Sequence, residues 1–304
     1  NNGALVVSQL ANEEGVNYGA LGGSNAAITI NNGATLKATN NIKTTQPVTI
    51  GEGGGTLFVN SGANLNLLTP VKSSTKAGLV KMGNGTLTLP MGNNYGKTYI
   101  YAGTINAEAD LGRSTTFSDS VIFMGNATLN YNSNTYSYNA DHSKVHVKGA
   151  TAKLYLDARC EYYTRLSGNG TVILYPQGDI SRTQIAGDWT DFTGVVDVEC
   201  NGSLNSLNFM TGADLSNCTL NVGSGFTMNN SFSTSSSSSS STNVRLGNVT
   251  GSGTLAGGGM YIIGCNNSDI SFSGAFATKV QKVGTGTWNV NKAQPSIGNV
   301  TISE

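Results

Sequence analysis

Charge is what this chain has least of. Of 304 residues, 11% are Asp, Glu, Lys or Arg, split evenly into 17 acidic and 17 basic, so the net charge is zero. Soluble domains usually carry about a quarter of such residues. No basic block stands out, which argues against nucleic-acid binding through counterion release. Helix formers of the Glu, Lys, Arg and Gln type are scarce, so helical bundles and doubly wound α/β folds match poorly. No run of about 18 apolar residues occurs, and no segment is expected to cross a membrane as a helix. Proline is rare, at 5 residues, and so are histidine, at 2, and cysteine, at 4. The cysteines form no CxxC or zinc spacing. The chain opens Asn-Asn-Gly without an initiator Met or signal-like segment and closes in mid-pattern at "NVTISE". It reads as a piece truncated at both ends, or as a processed product.

What is abundant is Gly, at 40 residues, together with Asn, Ser and Thr. These residues favour turns and pleated surfaces. The hydrophobic share of 38% is enough for a long core, so disorder is not expected. Period-two alternation recurs in "AAITI", "GTLFVN", "TLTLP", "KVHVK", "KLYLDA", "VVDVEC", "TLNVG" and "TWNVN". These short runs end in Gly, Asn, Asp or Ser-Gly turns, and no segment keeps helical apolar spacing over three turns. The fold class is all-β.

The turns repeat. Gly-x-Gly-Thr stands at Gly53–Thr56, Gly83–Thr86, Gly168–Thr171, Gly251–Thr254 and Gly284–Thr287, and Phe-[Ser/Thr]-Gly at Phe192–Gly194 and Phe272–Gly274. Two elements in similar order argue for duplicated units. No four-strand blade signature marks a propeller. Coils of about 20–30 residues with two or three short strands fit the closer spacings and give roughly 10–13 coils, each covering the edge of the last. Neutral Asn, Thr and Ser rows then replace charge pairs. The expected architecture is an elongated, right-handed parallel β-helix forming one module over 1–304, with a pair of β-sandwiches as the alternative. The Ser-rich run 231–242 is low in complexity, cannot pack a core, and is expected as a loop within that module.

Within this pattern "GLVKMGNGTLTLPMGNNYGKTYIYAGTI", residues 78–105, resembles the autotransporter-associated β-strand repeat of bacterial passenger regions. The family's Lys-x-Gly-x-Gly-Thr-Leu-x-Leu is met by Lys81, Gly83, Gly85, Thr86, Leu87 and Leu89, its Asn-x-Tyr by Asn93 and Tyr95, and its closing Gly-Thr-[Leu/Ile] by Gly103, Thr104 and Ile105. The chain departs from the pattern between Tyr95 and Thr98, where it is one residue short. Weaker echoes lie at 166–174, 249–257 and 282–290. The resemblance implies a right-handed parallel β-helix at the cell surface or beyond, with no catalytic residues to transfer.

Candidate chemistry is sparse. His142 and His146 are four apart, and in a strand "HSKVHVK" they would face outward with Lys144 and Lys148 while Val145 and Val147 face in. Their backbones would be about 13 Å apart, too far for one metal bound at about 2.0–2.1 Å per nitrogen. Parity places Cys160, Cys200 and Cys218 inward, as small hydrophobes; Cys265 is left unassigned. Should a disulfide form, Cys200 with Cys218 on neighbouring coils is the pair expected. "GDWTDF" offers Asp188 and Asp191 beside Trp189, with Asp179 nearby, and glycoside hydrolysis needs two carboxylates about 5–10 Å apart. Asp beside Gly and Thr is equally the chemistry of turns, and the related "DISFSG" from Asp269 keeps one acid only. The Asp dyad with downstream Gly-His-Gly of pectin-active enzymes, the Gly-Gly-x-Gly-x-Asp calcium pattern and the Gly-x-Ser-x-Gly elbow are all missing from the sequence. Tyr131, Tyr136, Tyr138, Tyr162 and Tyr163 fall within about 30 positions, and four of them, Tyr136, Tyr138, Tyr162 and Tyr163, are the expected sugar-stacking candidates.

Three functions remain. The first is a non-enzymatic passenger or adhesin segment, outside the cell or on a bacterial surface, binding glycan or host matrix and needing no cofactor or metal. The alternative is a polysaccharide-active enzyme using Asp188 and Asp191. The third is a pure spacer.

Overall fold

The computed structural model describes residues 3–11, 18–107, 120–131, 137–139, 144–156, 160–162, 165–176, 184–185, 187–199, 205–235, 238–290, 294 and 296–304. Among them there is no helix, and so none long and apolar enough to cross a membrane. Parallel strands stack as a β-solenoid of about ten turns. The sandwich alternative fails because it needs antiparallel sheets packed face to face, whereas here the strands of successive coils pair in parallel, and only the short pairs Tyr18–Gly19 with Gly22–Gly23 and Ser231–Ser235 with Ser238–Ser241 are antiparallel among the described residues. The chain divides into two compact units, one of Asn1–Ser133 with His142–Ala152, the other of Asn134–Asp141 with Lys153–Glu304.

In the first unit each complete coil has three sides. One ladder runs Ala4–Val7, Thr35–Ala38, Gly55–Val59, Leu79–Met82, Thr98–Ile100, Val121–Phe123 and on to Val145. A second runs Ile42–Thr44, Asn64–Leu67, Thr86–Leu89, Gly103–Ala107 and Ala127–Tyr131. The third pairs Ile28–Ile30 with Val48–Ile50 and continues as single bridges, Thr49 to Lys72 to Asn94. Alternation puts every second residue inside. Leu36, Leu57, Lys81, Ile100, Phe123 and Val147 form one inward column, and all are buried. The outward residues beside the second ladder align as Asn64, Thr86, Thr104, Thr128 and as Asn66, Thr88, Asn106, Asn130. Such rows need no countercharges, which accounts for the low charge content.

The second unit repeats the scheme. Leu166–Pro176, Val195–Val198, Asp214–Val222 and Val244–Gly251 form one ladder, with Val196, Leu220 and Val249 stacked in the core. Outside it Asn221 donates to Asp197 at 2.7 Å and accepts from Thr250 at 3.1 Å. Its strands include bulges, between Leu215 and Thr219 and between Ala256 and Met260.

The Gly-x-Gly-Thr element has a separate reason for each glycine. The first glycine turns the corner with positive φ in all five copies, Gly83 at 75° being typical; side chains rarely take that conformation. The second lies against the preceding coil. A Cβ on Gly85 would stand 2.1 Å from the carbonyl oxygen of Asn60.

The Ser-rich run, expected as a loop within the module, leaves the coil as a short hairpin. Ser231–Ser235 and Ser238–Ser241 pair as an antiparallel hairpin. Its base is closed by the Thr242 amide donating to the Asn230 carbonyl at 2.8 Å, and Phe232 is buried. Serine cannot fill a core, but backbone pairing asks nothing of the side chain, so the excursion satisfies its own amides.

Candidate functional site

The residues of the family-like segment are structural. Lys81 has no solvent exposure, and its stem sits between Leu57 and Ile100 in the core column. Its ammonium donates to the carbonyls of Met82 at 3.1 Å, Gly83 at 2.7 Å and Ala102, on the next coil, at 3.1 Å. Burial pulls the amine down to about 8, while three acceptors matched to three N–H donors favour the charged form. Asn93 is buried, accepting from the Val71 amide at 2.7 Å and donating to Pro90 at 2.6 Å. The buried Tyr95 hydroxyl accepts from Thr98 at 3.0 Å, and burial pushes its pKa well up. The same lysine device recurs at Lys282, which donates to Val283 at 2.6 Å and Gly284 at 2.8 Å.

The carboxylates sit in a turn. Asp188 is exposed, and its Oδ1 accepts from the Thr190 amide at 3.0 Å and hydroxyl at 2.7 Å. Those bonds, with a smaller contribution from Arg165, hold its carboxyl below the usual range. A general acid would need the opposite shift. Asp191 is exposed, while Trp189 and Phe192 are buried. In the related segment Ile270 and Phe272 are buried likewise, so the shared pattern is the inward pair. Asp179 lies outside the described residues.

His146 lies outward between the buried Val145 and Val147, as alternation requires; His142 lies outside the described residues. Cys218 is buried with a free thiol, and burial pushes it up to about 12. Its expected partner Cys200 lies outside the described residues. The strand containing Cys160 is described but not that side chain, and Cys265 is half-buried and free. Of the tyrosines, Tyr136 and Tyr163 fall outside the described residues. Tyr138 pairs opposite Glu161 and Tyr162 opposite Asn139 in parallel strands, but the side chains of Tyr131, Tyr138 and Tyr162 are not among those described.

A feature that pattern reading missed lies in the first unit. A groove of about 400 Å³ runs over the corner of successive coils. Gly53, Gly54 and Gly78 leave backbone along its floor, Val80 and Tyr99 form a wall, and Glu52 stands in its lining. Register puts Thr56, Val80 and Tyr99 in one outward row. Gly78 lets the ring lie close, since a Cβ there would be 3.0 Å from Tyr99 Cε2. Glu52 is exposed, and its carboxylate has no hydrogen bond or ion pair among the described residues. The signals were present as "GEGGG" and as the middle residue of "TYI", but only stacking three coils brings them together. Searches of protein-family models, curated proteins and solved structures find no match for this chain.

Proposed function

We propose that the chain is a non-enzymatic passenger or adhesin-like segment of a bacterial surface or secreted protein, serving as a β-solenoid stalk with a glycan- or host-surface-binding face. The observation that carries this reading is the use made of the Lys-x-Gly-x-Gly-Thr segment. Its lysine, Asn93 and Tyr95 are all spent on joining turn to coil, as a repeated secretion and stacking element requires. The resemblance of 78–105 to passenger repeats points the same way. Against the polysaccharide-active alternative, Asp188 is committed to capping its own turn and its carboxyl is depressed.

Two measurements on the purified chain test the proposal. Saturable retention on glycan- or matrix-coated surfaces is expected, with no product from a polysaccharide panel. Product formation that disappears in Asp188→Asn overturns it in favour of the enzyme, and the absence of binding on a broad array favours the spacer.

A further inference from the structure

We infer that the glycine-floored groove beside Tyr99 is a binding site for a neutral saccharide. This rests on the glycan-binding part of the proposed function and locates it away from the tyrosines around 131–163. About 400 Å³ falls within the size of small-ligand clefts. The lining then selects the ligand class. Tyr99 is the aromatic residue among the described lining residues, flanked in its outward row by Val80 on one side and Ile122 on the other. Its hydroxyl has no partner among the described residues. An aromatic body with a polar tip suits the alternating C–H and hydroxyl faces of a sugar ring. The glycines leave main chain in the lining: Gly53 and Gly54 carry positive φ, and a Cβ on Gly78 would stand 3.0 Å from Tyr99 Cε2 and 3.2 Å from the Lys97 carbonyl oxygen, tighter than ordinary contact. A flat ring can approach such a floor as no side chain would allow. Glu52 supplies an acceptor that has no side-chain partner among the described residues. Among the described residues no cation lines the groove, so a carboxylate or sulfate on the ligand would face Glu52 unpaired. A purely apolar ligand would strip water from exposed peptide groups without replacing those bonds. Hydroxyl donors and an apolar ring face, with no charge, satisfy both parts.

The test is titration of the full chain with neutral hexose and N-acetylhexosamine oligosaccharides and, in parallel, with uronate-containing ones, followed by calorimetry or saturation-transfer NMR. Saturable binding of a neutral member is expected. Tyr99→Ala and Glu52→Gln should each weaken it by about tenfold or more, and Tyr99→Phe should retain most of it. Tyr101→Ala, an exposed ring on the same side of the chain that does not line the groove, should leave it unchanged. Glu52 is exposed, so Glu52→Gln remains informative if Tyr99→Ala folds poorly. Neutral-glycan binding that survives both Tyr99→Ala and Glu52→Gln overturns the groove while the glycan-binding reading stands. Binding confined to uronates overturns the neutral class. No binding to any member overturns the groove and that reading together.

Discussion

Lys81 in the first unit and Lys282 in the second occupy matching places and are held differently. Each follows two residues of alternating strand and precedes x-Gly-x-Gly-Thr, and each falls in an inward column where its neighbours are aliphatic. Lys81 lies between Leu57 and Ile100, both fully buried. Lys282 lies between Ile263, fully buried, and Ile302, which is 82% exposed. Both ammonium groups curl back onto the carbonyls of the two residues that follow. Lys81 alone also takes a carbonyl from the coil beyond, that of Ala102. The two turns therefore share a local device, and what separates them is how much protein lies on the far side. A buried cation survives where acceptors replace its water, and for Lys81 three carbonyls from two successive turns provide them.

The largest expected effect tests what the turns share. Gly85→Ala and Gly286→Ala would place a Cβ 2.1 Å from the Asn60 oxygen and 2.2 Å from the Ser268 oxygen. Backbone cannot move aside as a side chain does, so each should cost about 3 kcal/mol, the upper end for overpacking. Chemical denaturation of the two variants checks this; a loss confined to one would show that the two turns are not the same device. Next comes the lysine itself. Lys81→Met fills the column but leaves three carbonyls without their donor, and should cost about 2 kcal/mol. Lys282→Met orphans two carbonyls beside an exposed neighbour and should cost about 1 kcal/mol or less. Equal losses would mean that the Ala102 contact contributes nothing.

A smaller effect follows from titration. Burial lowers the Lys81 amine from 10.5 to about 8 in the folded chain. Between those values the unfolded chain binds more protons than the folded one, so stability attributable to this group rises as pH rises from about 8 to 10.5. The rise should be present in the wild type and absent in Lys81→Met when the two are compared by denaturation across that window. A parallel pH dependence in both would assign it elsewhere.

Much of the fold was legible because alternation is a local property. Val145, His146 and Val147 take the faces that period two assigns them, and so does Cys218 beside Leu220 and Val222. The parallel coil followed from repeats too closely spaced for propeller blades. The hairpin form of the Ser-rich run was not legible, because composition reports what side chains can pack, and backbone pairing in a hairpin does not depend on it. The site was less legible. Asp188 and Asp191 drew notice as a carboxylate pair, yet Asp188 is absorbed by Thr190 two residues away. Glu52, Gly78 and Tyr99 share no motif, since they are brought together by register across coils.

The sequence by itself determined the all-β class, the inward and outward faces and the positions of the corners, because pleat parity and the φ > 0 demand on glycine act within a few residues. It could not show that Lys81 would lie inside. Parity places it there, but a charge becomes tolerable only once Met82, Gly83 and the Ala102 carbonyl of another coil surround it. Tertiary stacking alone decided that, and it alone set Tyr99 against Gly78 in one groove with Glu52, because contacts between coils depend on register between segments about 20 residues apart.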